Sequence, residues 1–195
     1  MSSRDDEIRD GQRVTWVGLS SGWEKWDSVI MDQLGPVGAA MIDRLDIAED
    51  QQHLDIASGT GEPGLTIARR SPRGRVVLTD LVREMLEIAE RRAREQGAVN
   101  VETKVCSADD LPFDDATFDS VSVRFGYMFF PNASEATAEF VRVLKPGGRI
   151  CASARRAATS NISGARSVST TRPFGATRAI LRPGSPVPEA MSRCC

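Results

Sequence analysis

From residue 53 to residue 152 the chain alternates short apolar runs with stretches of helical period. Val76-Val77-Leu78-Thr79 is nearly all apolar, as expected of a strand buried on both faces of a parallel sheet. Residues 53–57 and 118–123 read as two further strands, and Val99, Val101, Thr103 and Val105 alternate with polar neighbours and predict another. Leu86, Ala89 and Ala93 form one stripe of a helix over 83–96 that Gly97 stops. Leu65, Ile67 and Ala68 follow Pro63, which suits a first helical turn because its missing N–H has no partner there. Asn132 predicts the cap of a helix carrying Ala136, Phe140, Val143 and Leu144. Lys145-Pro146-Gly147-Gly148 reads as a turn, and Arg149-Ile150-Cys151-Ala152 opens a fifth strand. Such regular alternation defines a doubly wound α/β sheet. Ahead of it, Val29, Ile30 and Leu34, then Val37, Met41 and Leu45, recur at helical spacing and predict one or two helices. Trp16, Trp23 and Trp26 share that region and suit either helix packing or a lid over a substrate.

The chemistry concentrates where the first strand ends. Leu54-Asp55-Ile56-Ala57-Ser58-Gly59-Thr60-Gly61-Glu62-Pro63-Gly64 places an acid before a glycine turn, and Gly59, Gly61 and Gly64 fit G-x-G-x-x-G. Asp80 stands about 20 residues further on, at the end of the second strand, where a carboxylate can accept both hydroxyls of a ribose. The pair points to a nucleoside-containing cofactor. A dinucleotide would set its pyrophosphate on the helix N-terminus. S-adenosylmethionine (SAM) has no phosphate but brings an ammonium, a carboxylate and a sulfonium, so Asp55 beside the turn would face its cationic end. On these residues alone both stay open, as does a fold that has lost its ligand.

Composition narrows the classes. A chain of 195 residues with 41% hydrophobic content suits one domain with a sizeable core. There is no run of about 18 apolar residues to span a membrane. The acidic, polar start lacks a signal peptide's apolar core, and Cys106, Cys151, Cys194 and Cys195 show no C-x-x-C spacing, so a reduced, cytoplasmic setting is expected. With His53 as the one histidine, no metal site is expected.

Four ordered motifs carry a resemblance. They are residues 54–61; Thr79-Asp80-Leu81 with Met85-Leu86; Leu111-Pro112-Phe113-Asp114 leading to Phe118-Asp119; and Arg142-Val143-Leu144-Lys145-Pro146-Gly147-Gly148-Arg149, with Gly22-Trp23 ahead of them. In that order they resemble the class I SAM-dependent methyltransferases, especially the ubiquinone/menaquinone-biosynthesis C-methyltransferase-like group, over about residues 14–152. The resemblance implies a Rossmann-like sheet of class I methyltransferase type, SAM as cofactor, and methyl transfer from the sulfonium to a small-molecule acceptor. Asp55, Ala57, Ser58, Gly59, Thr60 and Gly61 would line the methionine end of SAM, while Asp80, Leu81 and Met85 would hold the ribose and flank adenine. The family's Asp-Ala pair before the Leu-Pro-Phe motif aligns with Ser107-Ala108, so Ser107 replaces an acid and Asp109 is the neighbour that could substitute. Arg124, ending the fourth strand, faces either a ligand or a salt bridge. In-line displacement from a sulfonium depends mainly on holding the acceptor in place. A base is needed only if the acceptor must lose a proton; His53 and Tyr127 are candidates by type, neither is convincing, and the catalytic residues stay unassigned.

Charge then divides the chain. Residues 1–152 hold 18 Lys plus Arg against 26 acids, while residues 153–195 hold seven Arg, no Lys and one acid, Glu189. Three segments follow: a helical segment over 1–50 that caps the substrate, a SAM-binding core over 51–152, and a basic, low-order tail over 153–195. Nucleic acid is not the expected partner of that tail, and the oligomeric state stays open. After residue 152 the sequence shows neither the helix nor the antiparallel strand pair that completes this kind of sheet. The shift in composition reads as translation in a shifted frame, with the fifth strand left as an open edge. The alternative function is accordingly a truncated or non-catalytic SAM-binding domain.

Overall fold

The computed structural model describes residues 3–155 and 176–181. Two helices, α1 (Ser3–Lys25) and α2 (Asp27–Leu45), precede β1 (Gln52–Ile56), α3 (Gly64–Arg70), β2 (Arg75–Asp80), α4 (Arg83–Glu95) and β3 (Val101–Val105). There follow β4 (Phe118–Arg124), a 3-10 turn (Tyr127–Phe129), α5 (Ala133–Val143), β5 (Leu144–Arg155) and β6 (Ala176–Leu181). The strands lie in the order β3-β2-β1-β4-β5-β6, all parallel up to β5. The chain therefore winds outward in both directions from β1 and β4, and a crevice opens above the carboxyl ends of those two strands.

Strand alternation sorts the core into two layers. Leu54, Ile56, Val121, Val123 and Ile150 pack with Phe140 and Val143 of α5. Val76, Leu78 and Cys151 face the other way, against Met41 and Leu45 of α2, Leu65 of α3 and Leu86 of α4. Each layer forms because one stripe of a helix covers one face of the sheet. The predicted Asn132 cap is present: its side chain accepts the Glu135 N–H at 3.2 Å.

Two motifs of the fourfold set serve each other. Arg142 of α5 donates to the carbonyls of Phe113 and Leu111 at 2.7 and 2.8 Å and pairs with Glu139 at 2.7 Å. Glu139 in turn accepts the Leu111 N–H at 2.9 Å, and Phe113 stands edge-on to Phe118 at 5.1 Å. The Leu111–Asp114 segment is thus a loop clamped to α5. Arg142→Met should free it at a cost of about 2 kcal/mol, from losing charge-assisted bonds to two backbone carbonyls. Urea unfolding with hydrogen exchange at residues 111–115 reads this, and unchanged protection there would refute the clamp.

The expected turn at residues 145–148 is instead a bulge inside β5. Phe118 pairs with Leu144 and Ser120 with Arg149, so residues 145–148 loop out of register. Both glycines are required there: Gly147 has φ +82°, and a Cβ on Gly148 would lie 2.9 Å from the Lys145 carbonyl and 3.0 Å from that of Asp119.

The expectation that the fifth strand is left as an open edge needs correcting: of the antiparallel pair not found in the sequence, one strand is present among the described residues. β5 runs on to Arg155, and β6 pairs with it antiparallel from Ile150↔Leu181 to Arg155↔Ala176. The outer edge of β5 presents unpaired backbone groups that an extended segment satisfies whatever its side-chain period, so β6 left no alternating signature. One antiparallel strand therefore covers the edge that the sequence left open. Residues 156–175 and 182–195, on which the low-order-tail and frame-shift readings mostly rest, lie outside the described residues.

Candidate functional site

The turn after β1 is shaped by backbone that few residues adopt. Ala57, Gly59 and Gly61 have φ of +51°, +55° and +108°. Ala57 fits because Gly126, facing it beyond β4, has no side chain; a Cβ there would lie 2.5 Å from that of Ala57. Gly61 and Gly64 are packing glycines, since a Cβ on either would come within 3 Å of Leu65 or Leu78. At Gly59 a Cβ would meet nothing within 4 Å, so that position opens onto free space.

Asp80 is tied to this turn. One carboxylate oxygen accepts the Gly59 N–H at 2.9 Å and the other accepts the Val82 N–H at 3.0 Å. Burial raises its pKa, opposed by those backbone donors. The Leu81 N–H also faces the carboxylate, which keeps a lone pair for a ligand hydroxyl. Ser107 lies two residues past Val105, the register partner of Asp80, so the ends of β1, β2 and β3 form one continuous edge. Along it Met85 is buried, while Leu81, Ser107 and Ala108 are half-buried. Thr60 is buried within the turn, and its carbonyl accepts from Arg92 at 3.3 Å. The Ser58 hydroxyl is buried with no partner among the described residues.

Asp109 is not solvated as its acidic neighbours are. Its side chain is 2% exposed, accepts the Ser107 hydroxyl at 2.5 Å, and pairs with Arg9 of α1 at 3.2 Å. Arg9 was not legible as a site residue, because its local pattern, with Asp6 three residues before it, is that of an ordinary surface helix pair. Trp16 sits edge-on to Phe129 at 5.3 Å and against Trp23 at 6.0 Å, and Glu24 pairs with Arg91 of α4. Helix α1 thus touches the Asp109 loop, the Phe129 turn after β4, and α4. Trp26 takes no part, being 56% exposed.

Asp55 lies beneath the turn, not in the crevice. It is fully buried, with Oδ1 accepting the Ser122 hydroxyl at 2.5 Å and Oδ2 accepting the Gly64 N–H at 2.9 Å. Ser122 also meets His53 Nε2 at 2.9 Å, and His53 Nδ1 meets Ser120 at 2.7 Å. Burial pushes Asp55 up to about 7 and His53 down to about 3. The serines were readable in principle: Ser120 and Ser122 alternate with Val121 and Val123 in a buried strand, on the same face as the lone histidine. Tyr127 is also buried, its hydroxyl within 2.9 Å of that of Thr137, so neither candidate base reaches the crevice.

Fold and site together define a Rossmann-like domain of class I methyltransferase type. A putative methyltransferase from Bacillus halodurans C-125 superposes with a TM-score of 0.60 at 28% identity, over 63% of this chain and 52% of that one. A Haemonchus contortus phosphoethanolamine N-methyltransferase in complex with S-adenosylhomocysteine gives 0.57 at 26% identity, over 61% and 28%. The chain matches the ubiE/COQ5 methyltransferase family over residues 20–162, and it belongs to that family. The ubiquinone/menaquinone biosynthesis C-methyltransferase UbiE of Bordetella parapertussis is 42% identical over 113 residues, 57% of this chain and 43% of that protein. The chain spans less than half the length of such curated relatives. Among the described residues no helix is long and apolar enough to cross a membrane, and no group of three or more His, Cys, Asp or Glu could hold a metal.

Proposed function

We propose that this chain binds SAM along the edge from Ser58 to Asp109 and directs its methyl group to a small-molecule acceptor. The observation that carries the reading is the match of that edge to the cofactor. An orphaned Ser58 hydroxyl, free space at Gly59 and the spare lone pair of Asp80 stand where a nucleoside with a polar tail would satisfy all three. Asp80 holds the ribose, Leu81, Met85 and Ala108 border the adenine, and Gly59, Thr60 and Gly61 border the methionine end. Ser107 presents a hydroxyl where a carboxylate is usual in the family, with Asp109 behind it fixed by Arg9. Asp55 supports the turn from below through Gly64. When bound, SAM supplies an activated methyl group on a positively charged sulfur. The protein's share is to orient the acceptor and exclude water, which α1 and α2 do as a cap.

The relatives named for ubiquinone and menaquinone biosynthesis favour an aromatic quinol as acceptor, and the cysteine spacing favours a cytoplasmic setting. Calorimetry with S-adenosylhomocysteine tests the binding half. Asp80→Ala should weaken it about tenfold or more, as expected for losing a charged acceptor; equal affinity would overturn the ribose assignment. Methyl transfer to a panel of quinols and phenols then separates an enzyme from a domain that only binds the cofactor.

A further inference from the structure

One basic side chain leaves a polar helix for the interior. Arg9 of α1 is 8% exposed, although Ile8 and Asp10 beside it lie in solvent. Its Nη1 pairs with Asp6 at 2.7 Å and its Nη2 with Asp109 at 3.2 Å, while its Nε is buried with no partner among the described residues. A buried N–H without an acceptor costs stability, so this ion pair is a poor staple for a helix. Its position gives it another use. Asp109 turns one oxygen to Arg9 and takes the Ser107 proton on the other, at 2.5 Å. A carboxylate paired with a guanidinium only accepts, so it dictates which way that hydroxyl donates. The Ser107 backbone is also held: the Cys106 N–H donates to the Asp80 carbonyl at 3.1 Å, and the Asp110 N–H to the Ser107 carbonyl at 3.3 Å. Ser107 therefore stays beside the end of β2 with its single proton turned away to Asp109, and its oxygen has only lone pairs left to offer. Arg124, by contrast, lies against α2, its Nη1 3.7 Å from Met31 Sδ.

Building on the SAM reading above, we propose that Arg9 and Asp109 are positioning residues that make Ser107 a hydrogen-bond acceptor only, and that this selects a nucleoside whose base presents an amino group there. Adenine carries such a group. A 6-oxopurine carries a carbonyl at the same place, and two acceptors then face each other with no proton between them. A serine alone would serve either base, because its hydroxyl can donate or accept. Only the pair behind it removes the choice. Arg9 comes from α1, so the cap supplies part of the base specificity from a hundred residues away in the chain.

The test compares S-adenosylhomocysteine with its deaminated counterpart, S-inosylhomocysteine, by calorimetry on wild type, Asp109→Asn, Arg9→Met, Arg9→Lys and Ser107→Ala. Wild type should prefer the adenine ligand about tenfold or more. In Asp109→Asn the amide oxygen turns to Arg9 and the NH₂ to Ser107, which frees the serine proton to face the ligand, so the preference should fall about fivefold or more. Arg9→Met should lower it as well, and Arg9→Lys should keep part of it. Ser107→Ala leaves the ion pair in place and removes only a half-buried hydroxyl, so it reads the preference even where a change at Arg9 or Asp109 unfolds the chain. A pair that merely fastened α1 would change both affinities by the same factor. A preference unaltered in Asp109→Asn or in Ser107→Ala would therefore overturn the assignment. A wild type that binds both ligands equally defeats this inference alone. One that binds neither defeats the cofactor reading beneath it.

Discussion

His53→Gln and Asp55→Asn should tilt the pH dependence of stability in opposite directions, while the wild-type pair leaves it nearly flat between about pH 4 and 6.5. Burial raises Asp55 from 3.8 to about 7, so its stabilising share is full below 3.8 and is lost as pH rises to about 7. Burial lowers His53 from 6.5 to about 3, so its share is full above 6.5 and is lost as pH falls towards 3. Within the overlap the folded pair holds one proton, on Asp55, and the unfolded pair also holds one, on His53. No net proton is exchanged on unfolding, and the two slopes cancel. Remove either partner and the other's slope, about 1.4 kcal/mol per pH unit, stands alone. Relative to wild type, His53→Gln should lose about 3 kcal/mol from pH 4 to 7, and Asp55→Asn should gain about as much from pH 4 to 6.5. Urea unfolding across that range measures both, and parallel profiles for the two variants would contradict the linkage.

The hydrogen bonds explain how one buried network tolerates both states. With Asp55 ionised, Ser122 donates to it and accepts from His53 Nε2, while Ser120 donates to Nδ1. With Asp55 protonated, the direction reverses: Asp55 donates to Ser122, Ser122 to Nε2, and Nδ1–H to Ser120. Every polar atom stays satisfied because hydroxyls serve as donor or acceptor and imidazole has two tautomers. Reversal of the tautomer near pH 7 is the spectroscopic counterpart of the stability profile.

This network marks where the sequence was readable and where it was not. Local period placed β1 to β4, α4 and the capped α5, since each buries a stripe or face that its own residues define. The glycine turn and Asp80 were legible for the same reason: the spacing itself encodes a strand, a tight turn and a second strand end. Asp55 belonged to the motif, but its direction did not follow from the motif. It turns under the loop because the strand's alternation places it on the face of His53 and Ser122, and α3 begins there with a free N–H. Arg9 was invisible, because its partner Asp109 is a hundred residues away and α1 reads locally as a polar helix. β6 was missed because residues 176–181 carry no alternating pattern, and its pairing partner β5 is some twenty-five residues earlier in the chain. Contacts between distant segments were the part that periodicity could not carry.

The glycine turn gives the second large effect, and it separates fold from ligand. Gly61→Ala should cost about 3 kcal/mol or more, from two additive causes. Its φ of +108° strains any other residue, and the new Cβ would stand 2.7 Å from Leu65 Cδ1 and 3.1 Å from Ala89 Cβ. Gly64→Ala has ordinary helical backbone, so better helix propensity returns up to about 1 kcal/mol. Against that, its Cβ would lie 2.2 Å from Leu78 Cδ2 and 2.9 Å from Asp55 Oδ2, in a region without room to give. Overpacking there leaves a net loss of about 2 kcal/mol. Gly59→Ala, at φ +55° with nothing within 4 Å, should cost about 1 kcal/mol of backbone strain. Its methyl group would instead occupy the space assigned to the cofactor, so S-adenosylhomocysteine affinity should fall while the domain stays folded. Thermal unfolding and calorimetry on the three variants check the order. If Gly59→Ala kept full affinity, the free space before that residue would not be the cofactor's place.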